Sequence, residues 1–395
     1  MSAPVERPDP FGLRSLEVDH LRDRPGAKWH RPGGLLAAWV ADMDFPVAPT
    51  IRERLSALVA TDLGYPDWER AGTSPLPLLF AERMQHRCGW SLDPGRLHEL
   101  CDVMQGVQMA VHHLSDPGDT VVLHTPAYPP FLESLEQMGR RVLAVPWPFD
   151  HDALEQQLIA QPARLMILCH PHNPTGHVFD ESELIRLGEI AQRHGLRVIS
   201  DEIHADLTHG PHRHIPFASL AAELSGRTVT VTSASKAFNL AGLRWAILHA
   251  GSAEFNQVLH ALPQQYLGAP NLMAVAAIEE AWSSAEPWLD EVLQLLEENR
   301  SWLADALARH LPGARYHVPD ATYLAWIDCR GMELGEDPAT VFRRRGVELS
   351  PGPRFGTEGA GHVRLNFATS PAILEQIVTA MSGEDQAESQ SIDPT

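Results

Sequence analysis

Cysteine is scarce in this chain of 395 residues: there are four, at positions 88, 101, 169 and 329, far apart and with no CxxC pair. That spacing fits buried thiols of a reducing cytosol better than a disulfide framework. Long apolar runs are missing too. None approaches the length of a membrane span, and the opening "MSAPVERPDPFGLRS" lacks the apolar stretch of a secretory signal. Basic blocks are absent: Lys and Arg number 31 against 51 Asp and Glu, a formal net charge of -20. An acidic balance of that size argues against a nucleic-acid partner. No internal repeat occurs at solenoid periods. These absences lead to the expectation of a cytoplasmic protein with neither a membrane nor a nucleic acid as partner.

What is present is a large apolar fraction, 44% of residues, enough for a big core and two domains. From about residue 100 to 250, short apolar segments alternate with amphipathic ones. "DTVVLHT", "RRVLAVP", "ARLMILC" and "LRVIS" read as strands; "PPFLESLEQMG", "HDALEQQLIA" and "DESELIRLGEIAQRHG" read as helices. Such alternation predicts an α/β fold with a mostly parallel sheet covered by helices on both faces. A long helical stretch from about 285 to 311 and the strand-like "ARYHVP", "TYLAWIDC" and "HVRLNFA" predict a smaller α/β domain at the C-terminus. The expected division is 1–45 packing with the small domain, 46–284 the large domain, 285–382 the small domain, and a disordered acidic tail at 383–395.

In sheets of this kind, ligands sit at the carboxyl ends of the strands. "TVTVTSASKAFNLAGLRWAIL" places one lysine, Lys236, among small residues between two strand-like segments, with Arg244 eight residues on. A lysine there either snorkels into water or loses solvation and becomes a usable nucleophile. Asn173 of "CHPHNPTG" stands before Pro174 in a tight-turn sequence, where its side chain can donate to a ligand oxygen. Asp201 of "VISDEIHADL" closes an apolar strand; it either caps a helix or pairs with a cation such as a protonated heteroaromatic nitrogen. Tyr128 of "HTPAYPPF" is a core ring or one that stacks on a flat cofactor. Arg364 of "HVRLNFATS" lies inside an apolar strand, held by an internal salt bridge or waiting to grip a carboxylate bidentately.

These residues, in this order, resemble the fold-type I pyridoxal-phosphate enzymes of the class I/II aminotransferase superfamily. "WVADMDF" and "SDEIHADL" are similar to the cystathionine β-lyase branch typified by MalY and PatB. The resemblance runs from about residue 37 to 380. It implies a large domain with a seven-stranded-type sheet, a smaller C-terminal domain and pyridoxal 5'-phosphate as cofactor. On it, Lys236 bonds the cofactor covalently and takes the substrate Cα proton. Asp201 pairs with the ring nitrogen, Asn173 bonds the ring oxygen and Tyr128 stacks on the ring. Ser233, Ser235, Arg244 and the backbone amides of Gly106 and Val107, where a helix is expected to begin, hold the phosphate. Tyr65 of "LGYPD" reaches the phosphate from the neighbouring subunit of a homodimer with composite sites. Arg364 takes the α-carboxylate, with Trp39 and Asn173 beside it.

Two positions depart from the pattern: His177 follows "NPTG" where a basic chain is common, and "VMQGVQMA" replaces a small-residue phosphate loop. The implied reaction is C–S β-elimination from cystathionine or another cysteine S-conjugate, giving pyruvate, ammonia and a thiol. Two alternatives stay open: an aminotransferase using the same residues, and a scaffold that restrains a transcription regulator. A metal site at His209, His212 and His214 of "HGPHRH" is not expected, because the spacing is not that of a ligand set.

Overall fold

Residues 97–250 supply a seven-stranded sheet in the computed structural model, which describes residues 8–61, 63–70 and 74–383. From one edge the strands are Leu97–Leu100, Ala246–Ala250, Thr228–Thr232, Arg197–Asp201, Leu165–Cys169, Thr120–Thr125 and Arg141–Pro146. All run parallel except Ala246–Ala250, which is antiparallel to both neighbours. The central strands are buried at nearly every position because helices cover both faces. The edge strand Leu97–Leu100 gave no signal in the sequence, since "LHEL" has neither alternation nor a β-branched run.

The covering helices form where their caps and apolar faces dictate. Glu181–Arg193 starts at a capping box: Asp180 accepts from the Glu183 amide, and Glu183 reaches back to the Asp180 amide at 2.9 Å. Leu184, Leu187, Ile190 and Ala191 bury one face of it against the sheet. Gly195, in the left-handed region with φ at +68°, lets the chain turn into the next strand.

A second sheet has the strand order Ser350–Pro351, His362–Asn366, Leu324–Asp328, Arg315–Tyr316, antiparallel throughout, with the helix Glu286–His310 beside it. Near the N-terminus Leu36–Ala37 pairs in parallel with Val347–Glu348, and Leu13, Leu21 and Trp29 share a core with Leu374 and Ile377. The expected division at residues 45 and 284 is crossed by that core, which also takes in Ile51, Phe80 and Trp288. No helix is long and apolar enough to cross a membrane among the described residues. The tail expected at 383–395 lies outside the described residues, save Gly383.

Strand order is what builds the site. Four neighbouring strands end side by side, and Lys236, Asp201, Asn173 and Tyr128 stand at those ends in that spatial order. Residues scattered over more than a hundred positions of sequence therefore face one cleft.

Candidate active site

Lys236 follows the Thr228–Thr232 strand by one turn, and Ser233 builds that turn. Its Oγ accepts from the Ser235 amide at 3.1 Å and donates to the Trp245 carbonyl at 2.7 Å. Lys236 Nζ donates to the Ala41 carbonyl at 2.6 Å and lies 4.0 Å from an Asp42 carboxylate oxygen. Burial lowers the pKa of its ammonium group, with the Asp42 charge opposing, so the amine is freed of its proton more easily than a surface lysine.

Asp201 ends the adjacent strand, buried, with Oδ1 accepting from the Ile203 amide at 3.1 Å. Burial pushes its carboxyl up to about 7, against the Ile203 bond and helped by the Glu202 charge. A carboxylate so enclosed is ionised cheaply only beside a cation.

In the next loop the Asn173-Pro174 peptide is cis and Gly176 has φ at +73°. A Cβ on Gly176 would stand 2.2 Å from the Pro319 side chain, so only glycine allows this close approach. Asn173 Oδ1 accepts from Arg364 Nη1 at 3.1 Å, which leaves the donor end of its amide for a ligand. His177, at the departing position, bonds Glu183 at 3.0 Å and so ties the turn to the helix behind it.

Arg364 is 5% exposed and has only neutral partners. Besides Asn173, its Nη2 donates to the Trp39 carbonyl at 3.1 Å and to Ser350 Oγ at 3.2 Å. Its guanidinium carbon lies 4.9 Å from the centre of the Phe355 ring. No carboxylate pairs with it among the described residues, so the internal salt bridge is ruled out there. Burial lowers its pKa to about 10, which still leaves it charged at neutral pH. A buried planar cation with only neutral partners suits a carboxylate ligand.

Tyr128, Asn173, Asp201, Ser235, Lys236 and Arg244 line one cavity of about 330 Å³, which Arg364 meets through Asn173. One end is closed by the helix Val103–Leu114, whose N-cap Asp102 accepts from the Gln105 amide at 2.7 Å and pairs with Arg244. Val103 and Met104 line the cavity there, so unpaired first-turn amides and the positive helix end stand beside Ser235 and Arg244. This donor set suits a phosphate. The buried acid Asp201 suits a protonated ring nitrogen, and the desolvated Lys236 amine suits an aldehyde carbon. The residues present thus fit pyridoxal phosphate.

The model of the family described as aminotransferase class I and II matches residues 102–381. The chain belongs to that family. Its fold is the fold-type I architecture of pyridoxal-phosphate-dependent enzymes. It is 35% identical to cystathionine beta-lyase PatB of Bacillus subtilis, over 91% of this chain and 97% of that protein. Identity to the cystathionine beta-lyase of Corynebacterium glutamicum is 32%, covering 92% of this chain and 98% of that one. The crystal structure of the PLP-bound C-S lyase from Staphylococcus hominis superposes with a TM-score of 0.84 at 27% identity, covering 93% of this chain and 98% of the other.

Within this family member, some expected residues stand elsewhere. The helix begins at Val103, three residues before the expected Gly106 and Val107, because Asp102 is its cap. Gly106 instead lets the helix approach the sheet: a Cβ there would meet Val231 at 2.8 Å and Leu100 at 2.9 Å. Gly106 and Val107 are therefore packing positions, and Val103 and Met104 replace them at the cavity. Trp39 meets Arg364 through its backbone carbonyl, while its indole donates to the Lys28 carbonyl at 3.1 Å and covers Arg31. Tyr65 lies away from this cavity and is 91% exposed. His209, His212 and His214 turn to different partners, the Thr322 carbonyl, Asp320 and Glu202. No group of three or more potential ligands is placed to hold a metal among the described residues.

Sequence reasoning missed several site residues. His204 lines the cavity with its Nδ1 buried and unpartnered; burial and the nearby Lys236 and Arg364 charges lower its pKa to about 3, so it is neutral. Its only signal was its place three residues after Asp201. Ser350 had none. Tyr323, buried, donates its hydroxyl to the Ala41 carbonyl at 2.8 Å. Before it stands Thr322, a buried β-branched residue with φ at +73°, a conformation costing about 1–3 kcal/mol that the surrounding packing must offset.

Proposed function

We propose that this protein is a pyridoxal-phosphate-dependent C–S β-lyase, cleaving cystathionine or a related cysteine S-conjugate to pyruvate, ammonia and a thiol. The observation that carries the reading is a desolvated lysine amine and Asn173 lining one cavity, with Asn173 bonded to a buried arginine that has only neutral partners. The lysine is placed for Cα chemistry, the arginine for an α-carboxylate. The relatives named cystathionine beta-lyase at 35% and 32% identity support elimination over transamination.

Pyridoxal phosphate, when bound, supplies a sink for the electron pair left at Cα on deprotonation. The chain's own residues do the rest. Lys236 holds the cofactor and Nζ accepts the Cα proton. Asp201 would pair with the cofactor's ring nitrogen and favour its protonated form. Asn173 would donate to the ring oxygen, and Tyr128 would pack against the ring. Ser235, Arg244 and the amides of Val103 and Met104 bind the phosphate, with Ser233 shaping their turn. Arg364 orients the α-carboxylate, so that the Cα–H bond points at the lysine.

In the same reading the protein acts in the cytoplasm as a homodimer. Tyr65 is exposed beside Leu63, and each such loop would complete the phosphate site of the other subunit. The N-terminal segment, large domain and small domain divide at about residues 45 and 284. Titrating the purified protein and Lys236→Ala with pyridoxal phosphate, then adding L-cystathionine, tests the reading. Cofactor fixed covalently to the protein by borohydride, and pyruvate release, are expected from the parent, and neither from the variant. A Lys236→Ala protein that turns over normally would overturn it.

A further inference from the structure

Residues 38–45 form an irregular strap whose Ala41 lines the cavity, and every one of their carbonyls is taken by a donor from outside the strap. Asn366 supplies its backbone amide to Ala38, and its side chain to Val40 and Asp42. Asn239 bonds Met43 and Phe45, and Arg24 bonds Asp44. Two acceptors in the middle go to the reactive residues themselves: Trp39 to Arg364, and Ala41 to Lys236.

Trp39, Ala41 and Asp42 each have two side-chain donors, and at Ala41 the two differ in fate. Lys236 Nζ reaches it at 2.6 Å and Tyr323 Oη at 2.8 Å. Lys236 leaves this carbonyl when it engages the cofactor or receives a substrate proton. Tyr323 has no such competing task, and burial holds its phenol well above the ordinary range, so it remains a donor. The left-handed Thr322 immediately before it fixes where the ring goes.

We infer that Tyr323 is a positioning residue that keeps the Ala41 carbonyl, and with it the strap, in place after Lys236 withdraws. The inference rests on the role of Lys236 proposed above. Its consequence is that the Trp39 carbonyl stays on Arg364 throughout turnover, so the carboxylate receptor does not loosen when the lysine moves.

Deuterium exchange of amides in residues 38–45 tests this, with circular dichroism confirming that each variant is folded. Without cofactor, Lys236→Ala and Tyr323→Phe each leave one donor and should exchange close to the parent. The double variant should exchange about fivefold faster, the equivalent of one hydrogen bond. With pyridoxal phosphate bound, Tyr323→Phe alone should become about fivefold faster, and its KM for the amino acid should rise about fivefold with kcat largely kept. A double variant no faster than the singles would overturn the shared hold. Equal acceleration in Tyr323→Phe with and without cofactor would reduce Tyr323 to an ordinary core residue. If the double variant responds but cofactor changes nothing, the handover fails together with the role of Lys236.

Discussion

Arg364 Nη1 and Asn173 Oδ1 are 3.1 Å apart, although 191 positions of sequence separate the two residues. One belongs to a strand of the smaller sheet, the other to a turn at the end of the larger. In the proposed roles, the contact would couple the residue that grips the carboxylate to the one that meets the cofactor oxygen. Substrate placement and cofactor placement would then depend on one connected network.

Arg364→Lys breaks that network at its centre. Lysine cannot reach Asn173, the Trp39 carbonyl and a carboxylate together, because it lacks the planar fork. KM for amino-acid substrates should rise by the equivalent of about 2–5 kcal/mol, the usual cost of losing a buried charged pair. Steady-state kinetics would show it, and amines without a carboxylate should lose no further ground. A variant with parental KM would move carboxylate binding to another residue.

Gly176→Ala probes the turn beneath Asn173. The left-handed backbone and the close Pro319 side chain leave no room for a methyl group. Destabilisation of at least about 1 kcal/mol is expected in denaturant unfolding. KM should rise as well, since Asn173 moves with the turn. An unchanged midpoint and unchanged KM would show that the loop accommodates the methyl by shifting as a whole.

Asp201 gives the apoprotein a pH dependence of known sign. Its folded-state value of about 7 is above the ordinary 3.8. Its contribution to stability is therefore full below about pH 4 and is lost as pH rises through 7, by up to about 1.4 kcal/mol per pH unit. A cationic ring nitrogen removes that cost. Pyridoxal phosphate should then raise the melting temperature more at pH 8 than at pH 5, and Asp201→Asn should abolish most of the difference. Equal shifts in parent and variant at both pH values would contradict the pairing.

The large sheet was legible because several of its strands are buried on both faces and read as short apolar runs, as "LMILC" does, between amphipathic helices. Lys236, Asp201, Asn173 and Arg364 were legible for a related reason: each is a polar group where the pattern demands an apolar one or a turn. The phosphate end was misplaced by three residues, although Asp102 with Gln105 three positions on is the pattern of a helix N-cap and could have placed it. The strap was opaque. Its order comes from donors such as Asn366 and Tyr323 that lie hundreds of positions away, and no local periodicity marks a segment whose carbonyls are satisfied by side chains. Ser350, in a strand of two residues, was invisible for the same reason.

Elimination and transamination share every residue described up to removal of the Cα proton, and differ in the fate of the electron pair left behind. A thiolate on Cβ leaves readily, whereas transamination returns the proton elsewhere and needs a second keto acid. The decisive measurement is incubation of the cofactor-loaded protein with L-cystathionine alone, assaying pyruvate and homocysteine. Both products are expected in equal amounts with no keto acid added. Product that forms only when a keto acid is supplied, and that appears as a new amino acid, would contradict the lyase and make the protein an aminotransferase.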